Sequence, residues 1–398
     1  MAQQIAAIRV AKRWGLWLTW LVVVVSSAGC GTVRESAAPS SVGAPQGDQA
    51  ASPWAEPAFD SQRLADGLAA IDAGEYGNIH SLLVFHHGAL VLEHYRKGED
   101  FTRTGSLGVV EHSRETLHDA RSISKSIVAL AVLHAHAAGT LPDLDQPVLE
   151  WLPEYAALAD GDKARISIRH LLTMTAGLAW NEELSYSDPR NSAAQMNAAP
   201  DALAFVLSQP LESAPGTQFT YNGGLTQLLA AVLQRASGHD IARYVQLHLL
   251  QPMGITHYAW APMETGQPDA DSGLRLRSPD LAKFGLLLAA QGKWDGTRLL
   301  PAALVEQAMA EQIRIPAGPD AYPGDTEGYG FQMWRFGYDT ESGQRVELVE
   351  LSGNGGQKVQ IDRARDIVVV LTAANYGRQG KSSFDVYPDL ILPALRPD

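Results

Sequence analysis

The chain has 398 residues, of which 45% are hydrophobic and 19% charged, and its formal net charge is −13. This composition is typical of a folded globular protein and excludes a disordered or collagen-like chain. The single cysteine excludes an intramolecular disulfide framework and a cysteine-based zinc site. The negative charge argues against a nucleic-acid-binding protein, which needs clustered positive charge.

The N-terminal segment has the pattern of an export signal. Three basic residues within 9–13 precede an apolar run over 14–25, which is shorter than a membrane-spanning helix. The Ser-Ala-Gly-Cys sequence that ends at Cys30 resembles the bacterial lipoprotein signal, in which the cysteine is lipidated. We therefore expect residues 1–29 to be a signal peptide and the protein to lie in the cell envelope, lipid-anchored and periplasmic. An ordinary cleaved signal or an uncleaved anchor is the alternative.

The segment after the signal is predicted to be a flexible tether. Residues 30–53 are mostly small or polar and contain proline, a composition that does not build a packed core. Removal of residues 1–29 takes away three basic residues and no acidic one, so the mature chain carries a formal charge of −16. Such a surface repels polyanions. Residues 54–398 are then predicted to form the folded domain.

Within this domain, strand-like and helix-like patterns alternate. The runs HSLLVFHH and ALVLEHYRKG, which begin after Ile79 and meet at a His-Gly turn, predict an antiparallel hairpin. The segment from about Ser122 to Ala138 is apolar nearly all round, which predicts a buried helix. Residues 140–275 predict a mainly helical lobe, and QKVQIDRARDIVVVLTAAN predicts two strands near the C-terminus. The expected fold class is α/β (α+β), with an antiparallel sheet built from both ends of the chain and flanked by helices.

The helix that starts at Ser122 carries the first candidate for chemistry. Residues three apart share a helix face, so Ser122 and Lys125 are expected to touch. A hydroxyl at a helix N-terminus also lies beside free backbone N–H groups that stabilise an oxyanion. Burial is expected to lower the pKa of Lys125, which would make it a general base for a nucleophilic serine. The competing interpretation is a capping serine and a solvated lysine, because so short a motif also occurs by chance.

The text around this motif resembles a known family. HDARSISKSIVALAV, ISIRHLLTMTAGLAWNE, PGTQFTYNGGLTQLLAAVL and LSGNGGQKVQIDRARDIVVVLTAANY occur in this order. Together they resemble the serine β-lactamase and penicillin-binding-protein superfamily, and within it the class C-like "β-lactamase-related" serine hydrolases. That branch includes esterases, D-amino-acid peptidases and hydrolases of nylon-oligomer type. The resemblance covers about residue 60 to the end, and it implies a β-lactamase/D,D-peptidase-like fold with Ser122 and Lys125 as the Ser-x-x-Lys pair and no cofactor.

The second family motif, Tyr-x-Asn, falls on Tyr221, Asn222 and Gly223. The resemblance implies that the phenol of Tyr221, with its pKa lowered by Lys125, relays protons between the serine and the leaving group. A glycine stands at the third position, so the family's asparagine contact to a substrate amide is lost, although Asn222 lies next to it. The competing interpretation of Tyr221 is a core aromatic residue.

The third family motif, Lys-Thr-Gly or His-Thr-Gly on a strand, is similar to Gly353-Asn354-Gly355. In this register the backbone N–H of Gly356 or Gln357 would complete the oxyanion hole with that of Ser122, and Asn354 would face the substrate. The cation that holds the substrate carboxylate in β-lactamases is missing from this tripeptide. A neutral ester or amide therefore fits better than a β-lactam.

A further set of candidate residues follows from the resemblance to the nylon-oligomer-hydrolase branch. Trp180, Glu182 and Tyr186 lie where that branch lines its cleft, and they would orient a substrate amine or amide. The competing interpretation is a surface loop with a packed tryptophan. Other chemistries find no support in the motifs, because the sequence holds neither His-Glu-x-x-His nor Gly-x-Ser-x-Gly. His134 and His136 are two apart on a helix and point in different directions, which disfavours a metal pair there.

The sequence thus predicts a serine hydrolase that cleaves a small ester or amide through an acyl-enzyme on Ser122. It needs no metal or organic cofactor, and its expected partner is a small-molecule substrate. Nucleic acid is not expected as a partner, and contact with a membrane is expected only through the lipid on Cys30. One alternative is a β-lactamase or D,D-peptidase, and another is a non-catalytic, lipid-anchored binding protein with the same fold.

Overall fold

A computed structural model of the chain describes residues 58–141, 143–158, 161–315, 326–340 and 343–396. The expected signal peptide over 1–29, the lipidated Cys30 and the tether over 30–53 lie outside the described residues. Among the described residues, no helix is long and apolar enough to cross a bilayer.

Strands and helices alternate along the described chain. The strands are β1 (Ile79–His86), β2 (Ala89–Tyr95), β3 (Gly98–Thr102), β4 (Gly105–Val110), β5 (Leu117–Asp119), β6 (Tyr258–Trp260), β7 (Leu274–Arg277), β8 (Lys293–Trp294), β9 (Thr297–Arg298), β10 (Ile313–Ile315), β11 (Thr326–Tyr329), β12 (Trp334–Asp339), β13 (Arg345–Gly353), β14 (Gln357–Asp362) and β15 (Ile367–Ala373). The α-helices are α1 (Ser61–Asp72), α2 (Ile123–Ala137), α3 (Val148–Trp151), α4 (Ile168–Leu172), α5 (Ser192–Ala198), α6 (Ala202–Ser208), α7 (Gly223–Ser237), α8 (Ile241–Val245), α9 (Ser278–Ala289), α10 (Ala302–Met309), α11 (Ser383–Val386) and α12 (Leu392–Ala394).

The main sheet is built from both ends of the chain, as predicted. Its eight antiparallel strands lie in the order β10-β11-β12-β13-β14-β15-β1-β2, so the first strand lies beside the last, with Val84 opposite Val369. The predicted β1–β2 hairpin and the predicted C-terminal pair β14–β15 are both confirmed. The predicted fold class is confirmed as well, because helices flank this antiparallel sheet and a helical lobe adjoins it.

The centre of the sheet is apolar on both faces because helices cover both. Alternate residues of a strand point to opposite faces. Leu82 and Val84 therefore pack in one cluster with Leu64 of α1 and Ile391 of the C-terminal segment. Leu83, on the opposite face, packs in a second and larger cluster that contains α2, α9 and the helical lobe. The sheet is thus the middle layer of a three-layer structure.

Helix α2 lies at the centre of the larger cluster, between the sheet and the lobe. It begins within one residue of the predicted start and ends within one residue of the predicted end. Every residue from Ile123 to Leu133 is buried, as expected for a helix that is apolar on all sides. Helix α7 packs against α2, and the lobe's other helices fall between Val148 and Leu250. The lobe is therefore mainly helical, as predicted.

A small second sheet fixes the start of α2. Its strands lie in the order β5-β7-β6, and Asp119 at the end of β5 pairs with Arg275 of β7. The N–H of Ala120 donates to the carbonyl of Leu274, at a distance of 2.9 Å. The loop that precedes β7 is thereby held beside the first turn of α2.

Candidate active site

Ser122 lies at the N-terminus of α2, directly after a strained residue. Arg121 adopts a φ of 52°, in the left-handed region that residues other than glycine rarely occupy. Such strain is retained where the surrounding structure holds the backbone, and it is common at functional sites. Among the described residues, the N–H of Ser122 donates to no acceptor. This N–H is therefore free to bind a negatively charged oxygen at the helix N-terminus.

The three residues predicted to carry the chemistry meet at this point. Nζ of Lys125 donates to Oγ of Ser122 at 3.1 Å, and the Ser122 hydroxyl lies close enough to the phenol of Tyr221 to lower the pKa of that phenol. The ammonium of Lys125 also lies 5.2 Å from the centre of the Tyr221 ring. The serine oxygen thus has two proton-carrying groups within reach, which is the arrangement that an activated nucleophile requires.

The environment of Lys125 differs from the sequence-based expectation. Its Nζ lies 3.1 Å from Oδ2 of Asp271 and 3.9 Å from Oε1 of Glu182, and all three side chains are buried. Burial by itself lowers the pKa of Lys125, but attraction to the carboxylates of Asp271 and Glu182 outweighs burial and raises it. The prediction of a lowered pKa for Lys125 was wrong because the two carboxylates are distant in sequence.

The net pKa shift of Tyr221 is upward, although the predicted lowering by Lys125 is present. Burial of the phenol raises its pKa, and although Lys125 lowers it, the nearby carboxylates of Glu182 and Asp271 add to the rise. The ring stacks on Trp334, with 5.6 Å between the ring centres. Stacking on Trp334 therefore fixes the position of Tyr221. Because its pKa is raised, the phenol carries its proton in the resting state at neutral pH.

Glu182 is the centre of a hydrogen-bond network and is not free to bind substrate. Its Oε2 accepts from the indole of Trp180 at 2.9 Å and from the N–H of Gly223 at 2.7 Å. Its Oε1 accepts from the phenol of Tyr186 at 3.0 Å. Three of the predicted cleft residues thus lie together. Trp180 and Tyr186 hold the carboxylate of Glu182 near Lys125. Tyr186 is 47% exposed, whereas Trp180 and Glu182, with their backbone included, are half-buried.

The register predicted for the third motif needs correction. Only Gly353 of the tripeptide Gly353-Asn354-Gly355 lies in a strand, at the end of β13, and the other two residues form the turn to β14. A Cβ on Gly353 would lie 2.5 Å from the carbonyl oxygen of Ala120, whereas one on Gly355 would meet the ring of Tyr376. The strand segment beside the nucleophile is therefore Leu351-Ser352-Gly353, two residues earlier than predicted.

The groups predicted to complete the oxyanion hole are otherwise engaged. The N–H of Gly356 donates to the carbonyl of Gly353 at 3.2 Å, so its predicted role was wrong. The side chain of Gln357 exchanges two hydrogen bonds with the backbone of Ala373, and its backbone pairs with Gly353. Asn354 follows Gly353 directly, as the first residue of the turn to β14.

Asn222 was predicted from the sequence, whereas Asp271 and Arg121 were not. Asn222, a predicted substrate contact, is buried, and its Oδ1 has no hydrogen-bond partner among the described residues. Asp271 was missed, because a lone acidic residue in a polar loop carries no motif. Arg121 was missed too. Its guanidinium donates to the hydroxyl of Tyr376 at 3.1 Å and lies 3.6 Å from Asp119.

Comparison with known proteins places this site in a family. The family model described as Beta-lactamase matches residues 78–385. The chain therefore belongs to the Beta-lactamase family, as the resemblance of its motifs predicted.

Individual relatives are similar over shorter segments. The esterase EstB of Burkholderia gladioli is 36% identical over 177 residues, which are 39% of this chain and 43% of EstB. A monacolin J acid methylbutanoyltransferase of Aspergillus terreus is 29% identical over 153 residues, or 34% of this chain and 36% of that protein. The chain thus spans less than half the length of these curated relatives.

Solved structures agree in fold. EstCE1, described as a hydrolase with promiscuous acyltransferase activity, superposes with a TM-score of 0.63 at 19% identity and covers 84% of this chain and 99% of its own. A D-stereospecific amidohydrolase from a Streptomyces species gives a TM-score of 0.59 at 19% identity, over 84% of this chain and 99% of its own. At these identities the likeness establishes the fold alone.

Proposed function

We propose that this chain is a serine hydrolase that cleaves a small neutral ester or amide through an acyl-enzyme on Ser122. The observation that carries the proposal is the hydrogen bond from Nζ of Lys125 to Oγ of Ser122, at 3.1 Å and at the N-terminus of a buried helix. The phenol of Tyr221 lies near the same hydroxyl, which by itself lowers the pKa of the phenol. The esterase, acyltransferase and amidohydrolase names of the relatives support acyl transfer as the reaction class.

In the proposed mechanism, the Lys125–Tyr221 pair acts as one proton acceptor. Because the carboxylates raise the pKa of Lys125 and burial raises that of Tyr221, the resting pair is fully protonated, and the reactive form has lost one proton. Oγ of Ser122 then bonds to the substrate carbonyl carbon while its proton moves to the pair. The bond to the leaving group breaks, and the hydroxyl of Tyr221 protonates the departing oxygen or nitrogen. A water molecule releases the acyl group by the reverse sequence.

The oxyanion formed on the substrate carbonyl needs donors near Ser122. The free N–H of Ser122 supplies one, at the positive end of α2. We propose the N–H of Asn354 as the second, because Asn354 follows the strand end that packs on Ala120. Removal of one such donor costs about 10² to 10³ in rate in other enzymes.

The charges around the site favour a substrate without a carboxylate. Two carboxylates, Asp271 and Glu182, surround a single ammonium, Lys125. Two cations near the third-motif turn are already engaged, Lys358 by Glu350 and Arg121 by Tyr376 and Asp119. A β-lactam or a D,D-peptide would bring a further carboxylate into this region at a cost in repulsion.

The test mixes the predicted folded domain, residues 54–398, with a p-nitrophenyl ester. We expect a burst of nitrophenol and a transient acyl mass on the wild-type chain, both lost in Ser122→Ala. Ser126→Ala is the matched control, because this serine lies one turn along α2 and only donates to the carbonyl of Gln332. A folded wild-type chain without burst or adduct, across several acyl groups, would contradict the proposal and favour the non-catalytic binding protein. Fast turnover of a chromogenic cephalosporin that requires Ser122 would favour a β-lactamase.

We further propose that the protein is exported and lipid-anchored through Cys30 on the periplasmic side of the envelope. The basic, apolar and Ser-Ala-Gly-Cys segments of residues 1–30 support this proposal. We expect the full chain to incorporate labelled palmitate and to fractionate with membranes, and Cys30→Ser to lose both properties. An unlabelled wild-type chain in the soluble periplasmic fraction would contradict it.

A further inference from the structure

A second cluster of titratable side chains lies apart from the residues that surround Ser122. It consists of His80 on β1, Asp100 on β3, His112 in the loop after β4 and His118 on β5. All four side chains are buried, with at most 5% of each residue exposed. One nitrogen or oxygen atom from each lies within 4.8 Å of the others.

Two of the distances within this cluster are close to those between ligands on one ion. Nε2 of His118 lies 3.2 Å from Nδ1 of His80 and 3.2 Å from Nδ1 of His112. Ligand nitrogens on a tetrahedral zinc ion, each about 2.0 to 2.1 Å from the metal, lie about 3.3 to 3.4 Å from one another. Oδ1 of Asp100 lies 3.9 Å from Nδ1 of His80. The rings of His80 and His112 stack nearly parallel, with 3.9 Å between their centres, so one ring must turn before both in-plane lone pairs face the same ion. Asp100 would then supply the fourth ligand.

Hydrogen bonding alone does not account for this arrangement. A ring nitrogen of a neutral imidazole holds either one proton or one in-plane lone pair. Nε2 of His118 therefore forms a good hydrogen bond with His80 or with His112, but not with both. In addition, Nε2 of His80 and Nε2 of His112 are buried without a hydrogen-bond partner among the described residues. An unsatisfied buried polar atom destabilises the folded state, so a role in packing alone does not explain these histidines.

We propose that His80, His112, His118 and Asp100 form a binding site for one tetrahedral divalent cation, of which zinc fits best. Three imidazoles and one carboxylate are ligands that zinc prefers. Because four protein groups close the coordination sphere, the ion is structural and takes no part in the chemistry at Ser122.

The position of the site indicates what the ion would hold together. It joins the main sheet, through β1, to the β3–β4 hairpin and to β5, and His118 is four residues before Ser122. Arg103, at the tip of this hairpin, forms an ion pair with Asp269, and Asp269 accepts from the N–H of Asp271 at 3.0 Å. We expect the bound ion to stabilise the hairpin and the strand that leads into the nucleophile.

The test measures metal content and unfolding, without reference to activity. The full-length chain, freed of any affinity tag, is stripped with a chelator and then titrated with zinc sulfate or cobalt chloride. We expect about one ion per chain, a rise in Tm that grows with zinc concentration, and the visible absorption of tetrahedral cobalt. His112→Gln and Asp100→Asn are expected to lose these effects. His134→Gln, which removes an imidazole bonded to Tyr244, is expected to keep them.

Should the ligand variants fail to fold, X-ray absorption of the zinc-loaded wild-type chain decides the question. We expect about four nitrogen or oxygen ligands at about 2.0 Å, with the signature of imidazole. A folded wild-type chain that takes up no zinc, cobalt or nickel and whose Tm does not respond to them would overturn the proposal. So would a stoichiometric ion that survives in both His112→Gln and Asp100→Asn.

Discussion

Gly223 lies directly against the carboxylate of Asp271, because a Cβ built on this glycine would stand 2.5 Å from Oδ2. The same oxygen lies 3.1 Å from Nζ of Lys125. The departure from the family's Tyr-x-Asn motif and the extra carboxylate beside the lysine are therefore linked. The carboxylate occupies the volume that an asparagine at position 223 would need, and it replaces a neutral amide by a negative charge.

We predict that restoring the asparagine in Gly223→Asn damages the site. Its side chain would overlap Asp271 and approach Oε2 of Glu182 to 3.1 Å at Cβ, and overpacking of this kind costs about 1 to 3 kcal/mol. The acylation rate is expected to fall at least tenfold, which corresponds to a rise of about 1.4 kcal/mol or more in the activation free energy. Burst kinetics and the free energy of unfolding are the measurements.

The double variant Gly223→Asn with Asp271→Gly tests the physical cause. Removing the carboxylate opens space, so the double variant is expected to recover part of the stability lost in the single one. Gly238→Asn is the matched control, because this glycine ends the same helix with a φ of 78° and nothing within 4 Å of its Cβ position. Additive losses in the double variant would contradict the proposed overlap.

A second prediction concerns the pH dependence of acylation. The reactive form lacks one proton of the Lys125–Tyr221 pair, and the pKa of Lys125 is raised by Asp271. The wild-type rate is therefore expected to increase with pH across the neutral and alkaline range. Asp271→Asn removes one negative charge and lowers the pKa of Lys125, so the midpoint of the profile is expected to move to lower pH. The measurement is the burst rate against pH.

The size of the burst rate in Asp271→Asn does not test the effect of charge by itself, because the substitution also removes a hydrogen bond to Lys125. The decisive quantity is the midpoint of the pH profile. Asp280→Asn controls for the loss of a buried carboxylate, since Asp280 pairs with Arg277 and Lys283 and belongs to no part of the proposed site. Its midpoint is expected to equal that of the wild type. An unchanged midpoint in Asp271→Asn would show that the pKa of Lys125, as raised by Asp271, does not set the pH dependence of acylation.

The elements that sequence patterns predicted are those with a local signal. The β1–β2 hairpin, helix α2 and the β14–β15 pair each carry an apolar run of the right period. The Ser122–Lys125 contact follows from helix geometry alone. Tyr221 needed the family resemblance, because its approach to Ser122 depends on the packing of α7 against α2.

What the sequence did not reveal depends on contacts between distant segments. Asp271 reaches Lys125 only because β7 pairs with β5, and nothing in its own loop marks it. The pKa of Lys125 was therefore predicted from burial alone, which gives the wrong sign. The same limit hid the buried histidines: His80 and His118 are 38 residues apart and meet only in the folded chain.

A third prediction tests the corrected register of the third motif. Gly353→Ala would place a methyl group 2.5 Å from the carbonyl of Ala120, so the end of β13 must move away from the turn that carries Ser122. The acylation rate is expected to fall by about tenfold or more. Gly343→Asn is the control, because its Cβ position is open and asparagine tolerates its φ of 78°. Wild-type burst kinetics in a folded Gly353→Ala chain would show that β13 does not border the site.

The fourth prediction concerns a buried ion pair on the strands that form the third motif. Lys358 pairs with Glu350, and its Nζ also donates to Oγ of Ser352 at 2.8 Å. Both charged side chains are at most 1% exposed. Lys358→Met alone leaves the carboxylate without its cation and is expected to cost about 3 to 5 kcal/mol of unfolding free energy. The double variant Lys358→Met with Glu350→Leu is expected to cost less than Lys358→Met alone.

The same ion pair makes the free energy of unfolding depend on pH, and the direction of this dependence follows from the pKa of Lys358. Burial lowers the pKa of Lys358 from 10.5 to about 8. Between these values the unfolded chain binds a proton that the folded chain does not, so the lysine's contribution to the unfolding free energy decreases as pH falls from 10.5 to about 8. As the pH falls across this range, the unfolding free energy of the wild type is therefore expected to decrease relative to that of the double variant. Urea unfolding at several pH values measures the difference, and a constant difference would contradict the lowered pKa.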